Sequence, residues 1–169
     1  MRKQQKGFSL IEVLVATVIM AIGILGIAGL QVISLQQNRS SLMRSEALQL
    51  GNDIIDRMRA NSAETYAPVE YSDAPPAAAK NCTANLCTAA EMADYDIALW
   101  KCMVNKTDAG GDTYSICTTL SATLGKSASL PDGEAEIQVA SGVQTVRIRW
   151  VDDGSGTKAT VTLSTRTDE

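Results

Sequence analysis

The sequence predicts an α+β fold in which one long N-terminal helix precedes a small antiparallel β-sheet. Three observations support this prediction. Residues 13–30 carry no charge, apolar residues then recur at spacings of three and four as far as Met58, and the last third alternates apolar with polar residues. Spacings of three and four are typical of an amphipathic helix, and strict alternation is typical of a strand with one buried face.

The first half of the predicted helix is long enough to cross a membrane. Its uncharged run is followed by further apolar residues up to Leu35, and about 20 apolar residues span a hydrocarbon core of about 30 Å. No small-residue cleavage site follows the run, which disfavours an ordinary secretory signal. Bases precede the segment and none follows it before Arg39, so the positive-inside rule predicts a cytoplasmic N-terminus with Arg2, Lys3 and Lys6. These features alone also fit a plain single-pass anchor.

The second half of the helix, residues 36–60, is predicted to be amphipathic. No proline occurs before Pro68. We interpret the apolar stripe as a core face packed on the domain that follows, and a coiled coil is the alternative. The predicted stripe consists of Leu35, Met43, Ala47, Leu50, Ile54 and Met58.

Residues 61–169 are predicted to form a small α+β head. An irregular connector rich in Ala, Pro and Ser runs to Lys80, because its prolines make a continuous helix unfavourable. A short helix is expected from Ala89 to Lys101. Three or four strands should complete the head, with the turn cluster Asp152-Asp153-Gly154-Ser155-Gly156 before the last one. The expected strands are Ala135–Ala140, Val143–Val151 and Ala159–Thr165.

Composition excludes several kinds of chemistry. The chain has no histidine, so histidine-based general-base, triad and metal chemistry are excluded. After the three bases among the first seven residues, 12 bases and 19 acids remain, a net charge of −7. This acidic body disfavours nucleic-acid binding, for which Arg147 and Arg149 form the one candidate basic face. No phosphate-binding, dinucleotide-binding or nucleophile-elbow motif occurs. We therefore expect neither an enzyme nor a cofactor.

A single acid interrupts the apolar segment near its start. Glu12 lies in the stretch KGFSLIEVL, residues 6–14, and an acid within a membrane helix usually has a partner. An acid at headgroup depth that stays hydrated is the simpler explanation. However, the nine residues resemble the class III signal of type IV pilins and related pseudopilins. The resemblance places the signal before the apolar segment, which agrees with the missing cleavage site after it.

The resemblance implies a processing step and an assembly role. In that family a prepilin peptidase cuts after the glycine, which here means between Gly7 and Phe8, and methylates the new N-terminus. The acid at the position of Glu12 is thought to attract the N-terminal amine of a neighbouring subunit. The implied partners are the prepilin peptidase, other minor and major pilins, the inner-membrane assembly machinery and, before assembly, membrane lipid. The implied location is the inner membrane with a periplasmic head, and later the pilus at the cell surface.

A second stretch indicates which type of pilin the chain resembles. ALQLGNDIIDRMRANSAE, residues 47–64, is similar to the helix end of PilV-type minor pilins. Its bases Arg57 and Arg59 are interpreted either as solvated surface residues or as contacts with neighbouring subunits. The sequence departs from major pilins at Gly29, where those proteins commonly carry proline.

The resemblance implies four segments: a leader 1–7, a membrane and polymerisation helix 8–35, its amphipathic continuation 36–60, and the pilin head 61–169.

All four cysteines lie in the predicted head. The predicted topology places them in an oxidising compartment, so disulfides are expected. Three connectivities are possible, of which Cys82–Cys87 with Cys102–Cys117 is favoured because each bond closes a local loop. The spacing lacks the usual paired zinc-knuckle motif, and the Asp152-Asp153-Gly154 turn lacks the ligand series of an EF-hand. We therefore expect no metal site.

Three functions remain open at this point. The first is a PilV-type minor pilin that acts in pilus priming or assembly and enters the fibre. The second is a type II secretion pseudopilin, which shares the leader and the long helix. The third is a pilus-borne adhesin or DNA-binding subunit.

Overall fold

A computed structural model of the chain describes residues 7–77, 79–120, 130–152 and 156–166. The chain divides into two compact units, residues 1–39 and 40–169. Helix α1, Leu10–Ala60, contributes to both units. The long N-terminal helix and the α+β class with a three-stranded antiparallel sheet are confirmed.

The described part of the first unit consists of residues 7–39 and contains no buried core. Every large apolar side chain from Phe8 to Leu35 is at least half exposed. Exposed apolar surface of this extent marks a segment that contacts lipid or other chains. The assignment of Leu35 to the buried stripe is wrong, since its side chain is 68% exposed and the core begins at Met43.

The second unit contains the rest of α1, two further helices and the sheet. Helix α2 spans Ala89–Val104 and begins with a capping box, in which the Thr88 side chain and Glu91 satisfy each other's backbone N–H groups. The predicted helix at this position is confirmed and extends three residues beyond Lys101. A five-residue helix α3, Ser115–Thr119, was not predicted.

The sheet has the strand order β1-β2-β3, with both pairs antiparallel. The strands are β1 Glu134–Ala140, β2 Val143–Val151 and β3 Lys158–Arg166, each within one residue of the predicted bounds. Val146, Ile148 and Trp150 face the core as the alternation predicted. The side chains between them on β2 are only partly exposed. Part of the predicted turn cluster before β3, residues 153–155, lies outside the described residues.

Two hydrophobic clusters lie on opposite sides of α2. The main cluster joins α1, the sheet and one side of α2. The second cluster joins the other side of α2 to α3. A helix that buries residues on most of its circumference must be covered on two sides, and α2 meets that condition. Its side chains in the main cluster are Ala93, Ile97, Trp100 and Val104, and those in the second are Tyr95, Ala98, Leu99 and Cys102.

Helix α1 approaches the sheet closely at Gly51. A Cβ atom at this position would lie 2.4 Å from Leu163 Cδ1 on β3. On a neighbouring side of α1, the Trp100 indole Nε1–H donates to the Leu50 carbonyl oxygen at 2.9 Å. Glycine within a helix costs up to about 1 kcal/mol relative to alanine. At Gly51 this lower helix propensity is accompanied by close packing of α1 against the sheet.

Candidate functional sites

The predicted processing junction lies just before helix α1. Gly7, Phe8 and Ser9 are described and exposed, and none of them is helical. The first turn begins where the Ser9 carbonyl accepts hydrogen bonds from the N–H groups of Glu12 and Val13, at 3.0 and 3.3 Å. The Gly7–Phe8 peptide bond is therefore accessible and lies outside regular structure.

Phe8 and Glu12 lie on the same side of the chain. Together with four residues of the next two turns they line a shallow groove of about 350 Å³. Glu12 is exposed and forms no salt bridge with any residue that the structure describes. An acid in the first turn of a helix interacts favourably with the helix dipole, and this carboxylate can accept an external cation. The other groove residues are Val13, Ala16, Thr17 and Met20.

Helix α1 is the only described helix long and apolar enough to cross a membrane. Its most apolar 18-residue window has a mean hydropathy of 2.6, and none of that window is buried. Length and composition therefore permit a membrane span near the N-terminus.

The four cysteines form two disulfides. Cys82 is bonded to Cys87, which we call the loop disulfide, and Cys102 is bonded to Cys117, which we call the helix disulfide. The loop disulfide closes a short, largely exposed segment before α2. The helix disulfide is buried in the second cluster and joins α2 to α3. No group of acids and cysteines among the described residues is arranged to hold a metal ion.

The end of α1 carries a partly buried polar network. Arg57 Nη1 donates to Asp96 Oδ1 at 2.9 Å, and Arg57 Nε donates to Asp53 Oδ2 at 2.8 Å. The fully buried Tyr66 hydroxyl donates to Asp96 Oδ2 at 2.6 Å. Burial and then the hydrogen bond to Asp96 raise the pKa of Tyr66. Arg57 is thus bound within the head and is not a free surface base, whereas Arg59 is exposed and pairs with Asp56.

The candidate basic face for nucleic acid is neutralised by the sheet's own acids. Arg147 pairs with Glu136, and Arg149 pairs with Glu134. The Arg149 guanidinium also lies 3.8 Å from the centre of the Tyr71 ring. Phosphate binding would require these charges to be available, so the face does not form the basic patch that DNA binding needs.

A buried lysine joins three parts of the head. Lys101 is 6% exposed, and its Nζ donates to the backbone carbonyls of Glu70 at 2.8 Å and Ala135 at 3.0 Å. Burial lowers the pKa of Lys101 to about 8, against the opposite effect of Asp73 and Glu134. The residue borders an open cleft of about 660 Å³. Its role is to connect α2 with the connector and β1.

Comparison with known proteins agrees with these features. Residues 2–28 match the family model described as the prokaryotic N-terminal methylation motif. Residues 29–98 match the family model described as type IV pilin Tt1218. Residues 2–98 are therefore similar to type IV pilins. No curated protein and no solved structure matches it significantly.

The two matches account for the N-terminal features of the chain. The methylation motif implies processing by a prepilin peptidase and pilin partners in general. Together with the apolar half of α1, it indicates membrane anchoring and incorporation into a pilus. Domains of this family are in general structural and not enzymatic.

Sequence reasoning missed the polar groups that organise the head. Tyr66, Asp96 and Lys101 lie in segments without a motif, and their partners are 30 or more residues away along the chain. One signal was present: Asp96 and Lys101 interrupt an otherwise apolar stretch of α2. A charged residue on a helix that is buried on most sides needs a partner.

Proposed function

We propose that the chain is a minor pilin of the PilV type that takes part in assembly or priming of a type IV pilus and enters the fibre. The observation that carries this proposal is the N-terminal methylation motif directly followed by the type IV pilin match. A helix with an apolar half that has no core of its own, joined to a small disulfide-bonded head, also supports it.

Each of the four sequence segments has a part in the proposed processing and assembly of the chain. Prepilin peptidase removes residues 1–7 on the cytoplasmic side of the inner membrane. Residues 8–35 first anchor the chain in the bilayer with residues 61–169 in the periplasm, and residues 36–60 continue the helix into the head. On assembly, the apolar half exchanges lipid for the helices of neighbouring subunits, and the inner-membrane machinery moves the chain into the fibre at the cell surface.

Glu12 favours the transfer of the chain from the membrane into the fibre. A carboxylate in the membrane interior costs about 2.5 to 3.5 kcal/mol at the centre and less near the edge. Pairing with the methylated amine of a neighbour's Phe8 removes that cost in the fibre. Its exposure, and its lack of a salt bridge with the described residues, support this role.

The cleavage step is tested by intact-mass analysis of protein from a piliated host. The expected mass corresponds to a chain that begins at methylated Phe8. A chain that retains Met1, or one cut beyond Leu30, would contradict the assignment.

The assembly step is tested with Glu12→Ala at matched expression. We expect the fibre-to-membrane ratio to fall about tenfold, because each tenfold change needs only about 1.4 kcal/mol of the pairing energy. Cleavage should persist, and Glu12→Asp should be intermediate because its shorter side chain keeps the charge. Glu46→Ala, in the amphipathic half of the same helix, is the matched control. An unchanged ratio for Glu12→Ala would reject the pairing mechanism.

A type II secretion pseudopilin is the alternative that shares the same N-terminus. The genomic neighbourhood and a deletion strain distinguish the two, since loss of a minor pilin should reduce piliation and loss of a pseudopilin should reduce secretion. The neutralised Arg147 and Arg149 disfavour a DNA-binding subunit.

A further inference from the structure

The outer edge of strand β3 has no partner among the described residues. At the opposite side of the sheet, Val69 exchanges two backbone hydrogen bonds with Ile137 of β1, at 2.9 and 2.8 Å. No segment in the described ranges pairs with β3 other than β2. An unpaired strand edge is a template for pairing with another chain.

The composition of β3 leaves this edge unprotected over most of its length. Between Lys158 and Arg166 the strand has seven uncharged residues and neither proline nor glycine. Its pairing with β2 continues without interruption over the whole strand. Soluble proteins usually protect such edges with bulges, prolines or charges within the strand, and residues 159–165 have none of these.

The main core is incompletely covered next to this edge. Leu163 is half-buried where it packs against the core, and Gly51 of α1 lies directly over it. Leu48 lies one turn before Gly51, on the side of α1 away from Trp100, and is 38% exposed. Ile55, one turn after Gly51, is buried. Both leucines therefore leave apolar surface exposed, which the inward side chains of an added strand would cover.

We propose that β3 accepts a β-strand from a different pilin subunit, whose inward apolar side chains cover Leu48 and Leu163. This inference rests on the proposed function, because it requires the chain to assemble with other pilins.

Charge disfavours a second copy of this chain as the donor. Antiparallel pairing of two β3 strands along their full length places Lys158 opposite Arg166. Parallel pairing in register places Lys158 beside Lys158 of the second copy, and Arg166 beside Arg166 of the second copy. Like charges directly opposite each other destabilise a pair of strands. Lys158 already pairs with Glu134 at 2.8 Å, whereas Arg166 is exposed and has no salt bridge among the described residues. The donor strand therefore carries an acid opposite Arg166 and apolar residues at alternate positions.

The test is site-specific photocrosslinking of the full-length protein in a piliated host. A photoreactive amino acid replaces Thr162, which is exposed in the middle of β3, and cross-linked peptides from sheared fibres are mapped by mass spectrometry. We expect cross-links to an extended segment of another pilin subunit. Leu48→Lys should reduce them about tenfold, which corresponds to about 1.4 kcal/mol. Leu42→Lys, the same change at a more exposed position on a different side of α1, should leave them unchanged.

A second variant keeps the test independent of folding. Arg166→Glu changes an exposed side chain at the strand end, so it should preserve the head and still reduce the cross-links by opposing an acidic donor. Cross-links confined to this chain, including its residues 121–129, or to a second copy of it, would overturn the inference. So would equal yields in Leu48→Lys, Arg166→Glu and the unmodified protein. If the chain reaches the fibre without such cross-links, the inference alone fails, whereas absence from fibres overturns it together with the proposed function.

Discussion

The buried hydrogen bond between Tyr66 and Asp96 is predicted to stabilise the head more than any exposed ion pair of α1. Tyr66 is fully buried and Asp96 is 4% exposed, and their oxygen atoms lie 2.6 Å apart. We consider three variants of a protein that consists of residues 40–169. They are Tyr66→Phe, Asp96→Ala and the double variant. That unit contains both hydrophobic clusters and both disulfides, so we expect it to fold when it is produced in an oxidising compartment.

The magnitude follows from burial and charge. A hydrogen bond to a charged group contributes about 1.5–3 kcal/mol, and a buried donor left without a partner costs about 1–3 kcal/mol. Asp96→Ala removes both the Tyr66 and the Arg57 hydrogen bonds and leaves the buried Tyr66 O–H without its acceptor, so we expect a loss of about 2–4 kcal/mol. Tyr66→Phe should cost less, because Asp96 keeps Arg57. The coupling free energy between the two positions should be about 1.5–3 kcal/mol.

Urea denaturation followed by tryptophan fluorescence measures these free energies, since Trp100 and Trp150 are both buried in the main cluster. The matched control is Asp56→Ala, which removes the exposed partner of Arg59 and should cost at most about 1 kcal/mol. Additive effects of Tyr66→Phe and Asp96→Ala, with a coupling below about 0.5 kcal/mol, would refute the argument that burial makes this bond strong.

Three further predictions concern the same unit. The free energy of unfolding should rise by up to about 2 kcal/mol between pH 8 and 10, because the folded Lys101 loses its proton near pH 8 whereas the unfolded chain still holds it. This rise should vanish in Lys101→Met, and a rise that persists would assign it to other groups. Gly51→Val should cost about 1–3 kcal/mol in urea denaturation because its side chain would overlap Leu163. Gly51→Ala should be nearly neutral, because the flexible end of Leu163 can move away from a single methyl group and alanine favours the helix by up to about 1 kcal/mol. A Val variant as stable as the Ala variant would contradict the close approach. Replacing Cys102 and Cys117 by serine should cost about 3 kcal/mol, against about 2 for the loop disulfide, because the longer loop restricts the unfolded chain more. Equal thermal midpoints of the two variants would contradict this order.

The sequence by itself determined the secondary structure to a large extent. Its periodicity changes from an uncharged run to helical spacing and then to alternation, and each change depends on residues that are neighbours along the chain. For this reason the bounds of α1, α2 and the three strands lie within a few residues of those predicted. The nine residues around Gly7 and Glu12 carried the family resemblance for the same reason, since that motif is local in sequence.

Tertiary structure decided which charges are available and which surfaces remain open. The sequence predicts three surface bases, Arg57, Arg147 and Arg149. The fold pairs each of them with an acid from another part of the chain. Leu35 continues the helical spacing of the buried stripe, but the main cluster does not extend that far. The open edge of β3 follows from strand order, which depends on contacts between residues distant in sequence. Local patterns report which face of an element is apolar, whereas its partners are determined only when the elements pack.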